Sequence, residues 1–133
     1  MADSFTFELV SPEQLLLSAS VTEVVLPATE GEMTVMANHS PTMTTIRPGV
    51  VTVKEASGQV QKFVVFGGFA DILPTGCTLL AEAAMPVSGF RKDELARRLD
   101  LAKADLQNAQ SDEAKVRLEQ LVSDLNGLSS IAA

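Results

Sequence analysis

Two periods divide this chain. Up to about Glu82, short apolar runs alternate with polar positions, as strands do, and turn residues cut the runs apart. The runs predict strands at Phe5–Val10, Leu15–Ala19, Val21–Leu26, Glu32–Met36, Met43–Ile46, Val50–Glu55, Gln59–Phe66, Gly68–Leu73 and Cys77–Glu82. Ser11-Pro12, Pro27, Arg47-Pro48-Gly49, Ser57-Gly58 and Pro74-Thr75-Gly76 mark the breaks. Runs on both sides of Ser57-Gly58 predict a tight hairpin there. In Gly68–Leu73, Phe69, Asp71 and Leu73 share one face while Ala70 and Ile72 share the other. Apolar residues on both faces suit a strand held inside a two-sheet sandwich.

Pro86-Val87-Ser88-Gly89 ends that pattern. Leu95, Leu99, Ala102, Leu106 and Ala109 then follow at spacings of four and three, a helical stripe. Ser111-Asp112-Glu113 reads as a new helix start with Ser111 as N-cap. A second stripe runs through Ala114, Leu118, Leu121, Leu125 and Leu128, and Gly127 is available to end the helix. The expected fold is β plus α: an N-terminal two-sheet β-sandwich over residues 1–87 and a C-terminal antiparallel two-helix hairpin over residues 88–133.

Composition narrows the function. With 46% hydrophobic and 20% charged residues, the 133-residue chain is expected to fold rather than remain disordered. Six Phe, no Trp and no Tyr leave little for stacking bases. Residues 1–88 hold three basic against nine acidic side chains, and residues 89–133 seven against eight. The front part therefore lacks the basic patch that nucleic acid or anionic lipid requires. No apolar run approaches the roughly 20 residues of a membrane span, so no direct membrane insertion is expected. Met1–Phe5 has neither a secretory nor a transit-peptide character, which suggests a soluble, cytosol-facing chain.

Candidate chemistry is thin. His39 is the only histidine, so a His-based metal cluster cannot form, and nothing in the spacing selects a triad around it. Cys77 is the only cysteine and reads as a packed small hydrophobe. Gly67-Gly68 lacks the Lys-Ser/Thr of a phosphate loop and reads as a sheet bend or bulge where backbones approach closely. Glu30 and Glu32 could pair as acid and base, but they sit at a turn where carboxylates are solvated. No catalytic residue, metal ligand or cofactor is expected. The residues alone point to a binding or structural subunit.

Several motifs, in order and across the whole chain, resemble the epsilon subunit family of F-type ATP synthases. Phe7-Glu8-Leu9-Val10-Ser11-Pro12-Glu13 is similar to its opening strand and Thr/Ser-Pro-Glu turn. Gly31-Glu32, then His39-Ser40-Pro41, resembles its Gly-Glu…His-Ala-Pro loop, and Pro48-Gly49-Val50 its Lys-Pro-Gly-Val turn. Gly67-Gly68-Phe69 and Leu80-Ala81-Glu82…Ala84 resemble its later strands. Thr34 stands where the family commonly has Gly, Ala37 where it often has Pro, and Asn38 where it often has Gly.

The resemblance implies a non-catalytic rotor subunit of the central stalk, coupling proton flow to ATP synthesis. It implies that the sandwich binds the gamma subunit and rests on the c-subunit ring through Glu30, Glu32 and His39. The C-terminal hairpin would meet the α and β subunits and regulate ATP hydrolysis weakly, if at all. The implied location is the cytoplasmic side of a bacterial inner membrane, peripheral to it. Some bacterial relatives bind ATP through Ile/Leu-Asp-x-x-Arg-Ala; the nearest segment here is Asp93-Glu94-Leu95-Ala96-Arg97-Arg98. Only Glu94 and Arg97 keep the acid-to-Arg spacing, and Arg98 replaces the Ala, so a nucleotide site is not expected. The alternative is a free-standing β-sandwich enzyme or small-ligand-binding protein, which would need a concave polar pocket.

Overall fold

The computed structural model describes residues 3–132; Met1, Ala2 and Ala133, at the outer ends of the two expected domains, lie outside it. The order is β1 (Phe5–Val10), β2 (Leu15–Ala28), β3 (Gly31–Met36), β4 (Thr42–Glu55), β5 (Val60–Leu73), β6 (Gly76–Ala81), β7 (Ala84–Pro86), a 3-10 turn at Val87–Gly89, α1 (Lys92–Gln107) and α2 (Asp112–Asn126). Two compact units result, Met1–Pro86 and Val87–Ala133.

In the first unit the strands run β1-β6-β5-β4-β2-β3, with β2 also paired to β1 and β7 on β5. Pairing therefore closes on itself through β1, β6, β5, β4 and β2, leaving β3 and β7 as branches. Only β1 and β6 lie parallel. The strands β2, β4 and β5, 14 residues each, can serve both layers of the sandwich. β2, for example, pairs with β1 through Leu15–Val21 and with β3 through Glu23–Ala28.

Here the strand boundaries need correction. Each of these three strands is continuous where the sequence pattern splits it in two. Pro48-Gly49 and Gly67-Gly68 are bends inside strands, not ends of strands. β4 and β5 bend at the same level, with Pro48 opposite Phe66 and Ile46 opposite Gly68, so hydrogen bonding carries across the corner. Gly67 and Gly68 have φ of 105° and 143°. A Cβ on Gly68 would lie 2.1 Å from the Leu80 carbonyl oxygen, so β6 passes too close for any side chain. The Glu55–Gln59 hairpin closes as expected: Glu55 N–H donates to Gln59 O at 2.8 Å, and Gly58 has φ 95°. The strand β7, only three residues long, carries too short a pattern to be read locally.

Alternation builds the core. Phe5, Phe7 and Leu9 of β1 are buried, and they pack with Val24, Leu26, Val53, Ile72 and Leu79. Each such side chain contributes about 1.5–3 kcal/mol relative to exposure. No polar or charged residue is buried among the described residues.

In the second unit, Ser111 caps α2 by accepting from the Ala114 N–H at 3.1 Å. The four residues between the helices return α2 against α1. Leu95 and Ala102 on α1 and Leu118 and Leu125 on α2 are buried, as the stripes require. Gly127 follows α2 in the right-handed region, at φ −63°; its N–H donates to Ser123 O at 3.1 Å, and the next N–H, of Leu128, donates to Leu125 O at 3.0 Å.

Candidate functional site

Glu30 sits exposed on the turn joining β2 to β3, and Glu32 points to solvent from β3 opposite Pro27. Both line an open groove of about 500 Å³ that runs between Ala28–Met33 and Thr42–Thr45 of β4. His39 belongs to the β3–β4 connection and is not part of that lining. A carbonyl can only accept, so His39 Nδ1–H is the donor in the 2.8 Å bond to Ser40 O. That bond orients the ring locally and marks no proton relay. Asn38 takes the left-handed conformation at φ 64° and donates its N–H to Pro74 O at 2.9 Å, tying the loop to the β5–β6 turn. Thr34 stays in ordinary strand backbone within β3.

A second surface was not singled out by the sequence. Register places Leu15, Val10, Leu80, Phe69 and Thr45 side by side across β2, β1, β6, β5 and β4. Leu15 is 55% exposed, Leu80 40% and Phe69 42%, and Met43 in the neighbouring row is 67% exposed. A shallow groove of about 500 Å³ follows this row, lined by Val10, Pro12, Phe69, Leu80 and Glu82 among others. The expectation that both faces of Gly68–Leu73 lie inside the sandwich is thus corrected. Ala70 and Ile72 face the core, while Phe69, Asp71 and Leu73 face outward. The signal was present in the alternation: a sandwich strand has one inner face, so apolar residues on both faces imply a second, external contact.

The remaining candidates are inert. Cys77 is buried and its thiol is pushed up to about 12, first by burial and then by the Asp71 charge. Such a thiol is neither a nucleophile nor a metal ligand at neutral pH. Glu94 accepts from Arg97 at 2.9 Å and from Arg98 at 2.7 Å. The Arg97 hydrogen bond holds its carboxyl below the usual range against the opposing effect of burial, and the Arg98 charge assists. On an exposed first turn this is a modest helix-surface ion pair. Glu94 and Arg97 are thus brought together, but by each other. Among the described residues, no group of three or more His, Cys, Asp or Glu is placed to hold a metal, and no helix is long and apolar enough to cross a membrane.

The molecule's distinctive features are therefore surfaces. Residues 4–87 match the family model of the ATP synthase delta/epsilon chain β-sandwich domain. An ATP synthase epsilon chain from Rhizobium etli is 66% identical over 131 residues, covering 98% of this chain and 97% of the relative. The chain belongs to the ATP synthase epsilon chain family. The family member of Rhizobium meliloti is 62% identical over 131 residues, with 98% and 97% of the two chains covered. A chain of the Euglena gracilis mitochondrial ATP synthase shares the fold at TM-score 0.73 and 23% identity, with 96% of this chain and 80% of that chain covered. A Tetrahymena thermophila chain shares it at TM-score 0.70 and 13% identity, covering 96% and 98%. Membership makes the chain a non-catalytic subunit of an ATP synthase, and the free-standing enzyme alternative gives way to it.

Proposed function

We propose that the chain forms the foot of the central stalk, where it transmits rotation between the membrane sector and the catalytic head. The outer apolar row Leu15–Val10–Leu80–Phe69 is the face that takes the gamma subunit. The Glu30–Glu32 edge, with the His39 loop beside it, rests on the c-subunit ring. The helical hairpin meets the α and β subunits. The chain sits peripherally on the cytoplasmic side of the bacterial inner membrane. The single observation carrying this reading is the exposed apolar row, because a folded domain leaves such a row uncovered only where a partner covers it. Support also comes from the Euglena neighbour, part of an assembly of F1 with its c-ring, and the Tetrahymena neighbour, part of a central stalk with its c-ring.

Cysteine crosslinking tests the placement. Cys77 is buried, so within this chain it should not compete with an introduced surface cysteine. Glu32→Cys and His39→Cys should crosslink to c-subunit loops in the assembled complex. Crosslinks to α or β alone would overturn the ring assignment.

Regulation by the hairpin should be weak. From Asp112 onward α2 carries Lys115 and Arg117 against Asp112, Glu113, Glu119 and Asp124. Bringing that surface toward acidic segments of the β subunits is repulsive at short range. Deleting residues 111–133 should therefore leave ATP hydrolysis by the complex within about twofold of the intact enzyme, since small coupling energies change rates little. A several-fold rise would assign inhibition to the hairpin.

A further inference from the structure

Beside the apolar row runs a second row on the same outer face: Ser18, Glu8, Thr78, Asp71 and Met43 on β2, β1, β6, β5 and β4. Glu8 and Asp71 flank Thr78, about 10 Å apart by two strand spacings. Asp71 is exposed and Glu8 half-buried. The strand segments 5–10, 42–46, 68–73 and 76–81 contain no Lys or Arg. On the opposite flank of the apolar row lie Glu82, beside the site of Gly67, and Arg47, next along β4. The face is thus polarised, with apolar residues in one row and two carboxylates, with no base in the same strand segments, in the row beside it.

Resting on the gamma-subunit assignment above, we infer that the partner surface is an apolar ridge flanked on one side by Lys or Arg side chains, which seat against Glu8 and Asp71 and fix the orientation of docking. Four apolar side chains alone would tolerate sliding along the row, because burial is non-directional. Net negative charge on one side only, the other flank carrying one acid and one base, removes that freedom. It also disfavours a second copy of this chain as occupant. Two such faces brought together by a twofold axis would place Glu8 and Asp71 of both copies in one desolvated interface with no base from these segments to meet them. A partner with an apolar centre and a basic flank satisfies both rows at once, and its approach is steered by the charge at long range.

Stopped-flow association of the full-length chain with purified gamma subunit, at low and at high salt, tests this. The Glu8→Gln, Asp71→Asn double variant keeps the shape of the face and removes the charge. Its association rate should be about five- to tenfold lower than that of the parent at low salt and equal to it at high salt, with dissociation changed less. Glu8→Lys with Asp71→Lys should lower the rate further, and circular dichroism of each variant should match the parent. Association that proceeds at the parental rate at low salt in the neutral variant would overturn the inference while leaving the gamma assignment standing. No association of the parent chain at all would overturn the assignment and this inference with it. In the absence of gamma, the parent chain should sediment as a monomer at micromolar concentration; a dimer that dissociates on Leu80→Asp would assign the face to a second copy instead.

Discussion

Replacing Gly68 by alanine should destabilise the sandwich by about 3–5 kcal/mol, enough to unfold much of it at 37 °C. Two costs add at this position. At φ 143° any side chain is strained, a penalty of about 1–3 kcal/mol. The new Cβ would also lie 2.1 Å from the Leu80 carbonyl oxygen and 2.9 Å from the Ala81 Cα. Both are backbone atoms of the paired strand β6, so no rotamer change relieves the clash and the ladder itself must shift. Gly58→Ala separates the two costs. It has φ 95° but no atom within 4 Å of the added Cβ, so it should cost about 1–2 kcal/mol. Gly89→Ala, with open space and no unusual φ, should be near neutral. Urea titrations of the three variants should give that order. Equal losses at Gly68 and Gly58 would show that close approach of β6 contributes nothing.

The same glycines show where local reading stops. The helices and β1 were legible because their signals are local: a stripe at spacings of three and four, a capping Ser111, and alternation over Phe5–Val10. Whether Pro48-Gly49 ends a strand or bends one depends on the neighbouring strand, here β5 bending at Gly67-Gly68 on the same level. Nothing near residue 48 in the chain encodes that. The site divides the same way. Glu30 could be placed at an exposed turn from local chemistry, whereas Glu32 belongs to the start of β3, and the two share one groove. The apolar row could not be assembled, because Leu15, Val10, Leu80 and Phe69 become neighbours only through strand pairing, including the parallel β1–β6 pair. Phe69 and Leu73 carried a hint of it in the outward face of their own strand. Asn38 tells a simpler story. It stands where the family often has glycine, and it keeps the left-handed backbone that glycine would supply.

If gamma docks on the outer row of the sandwich, as proposed, Leu80→Asp should break that contact and spare the fold. Leu80 lies between Val10 and Phe69 in the row and is 40% exposed, so a carboxylate there remains hydrated in the free chain. Stability should change by less than about 1 kcal/mol, as for other exposed positions. In the complex the same carboxylate would be buried against an apolar ridge whose flanking bases are already engaged by Glu8 and Asp71, at a cost of about 3 kcal/mol or more. Affinity for purified gamma, measured by calorimetry, should therefore fall at least about a hundredfold while the thermal midpoint of the free chain moves by only a few degrees. Unchanged affinity in a folded Leu80→Asp chain would contradict the account.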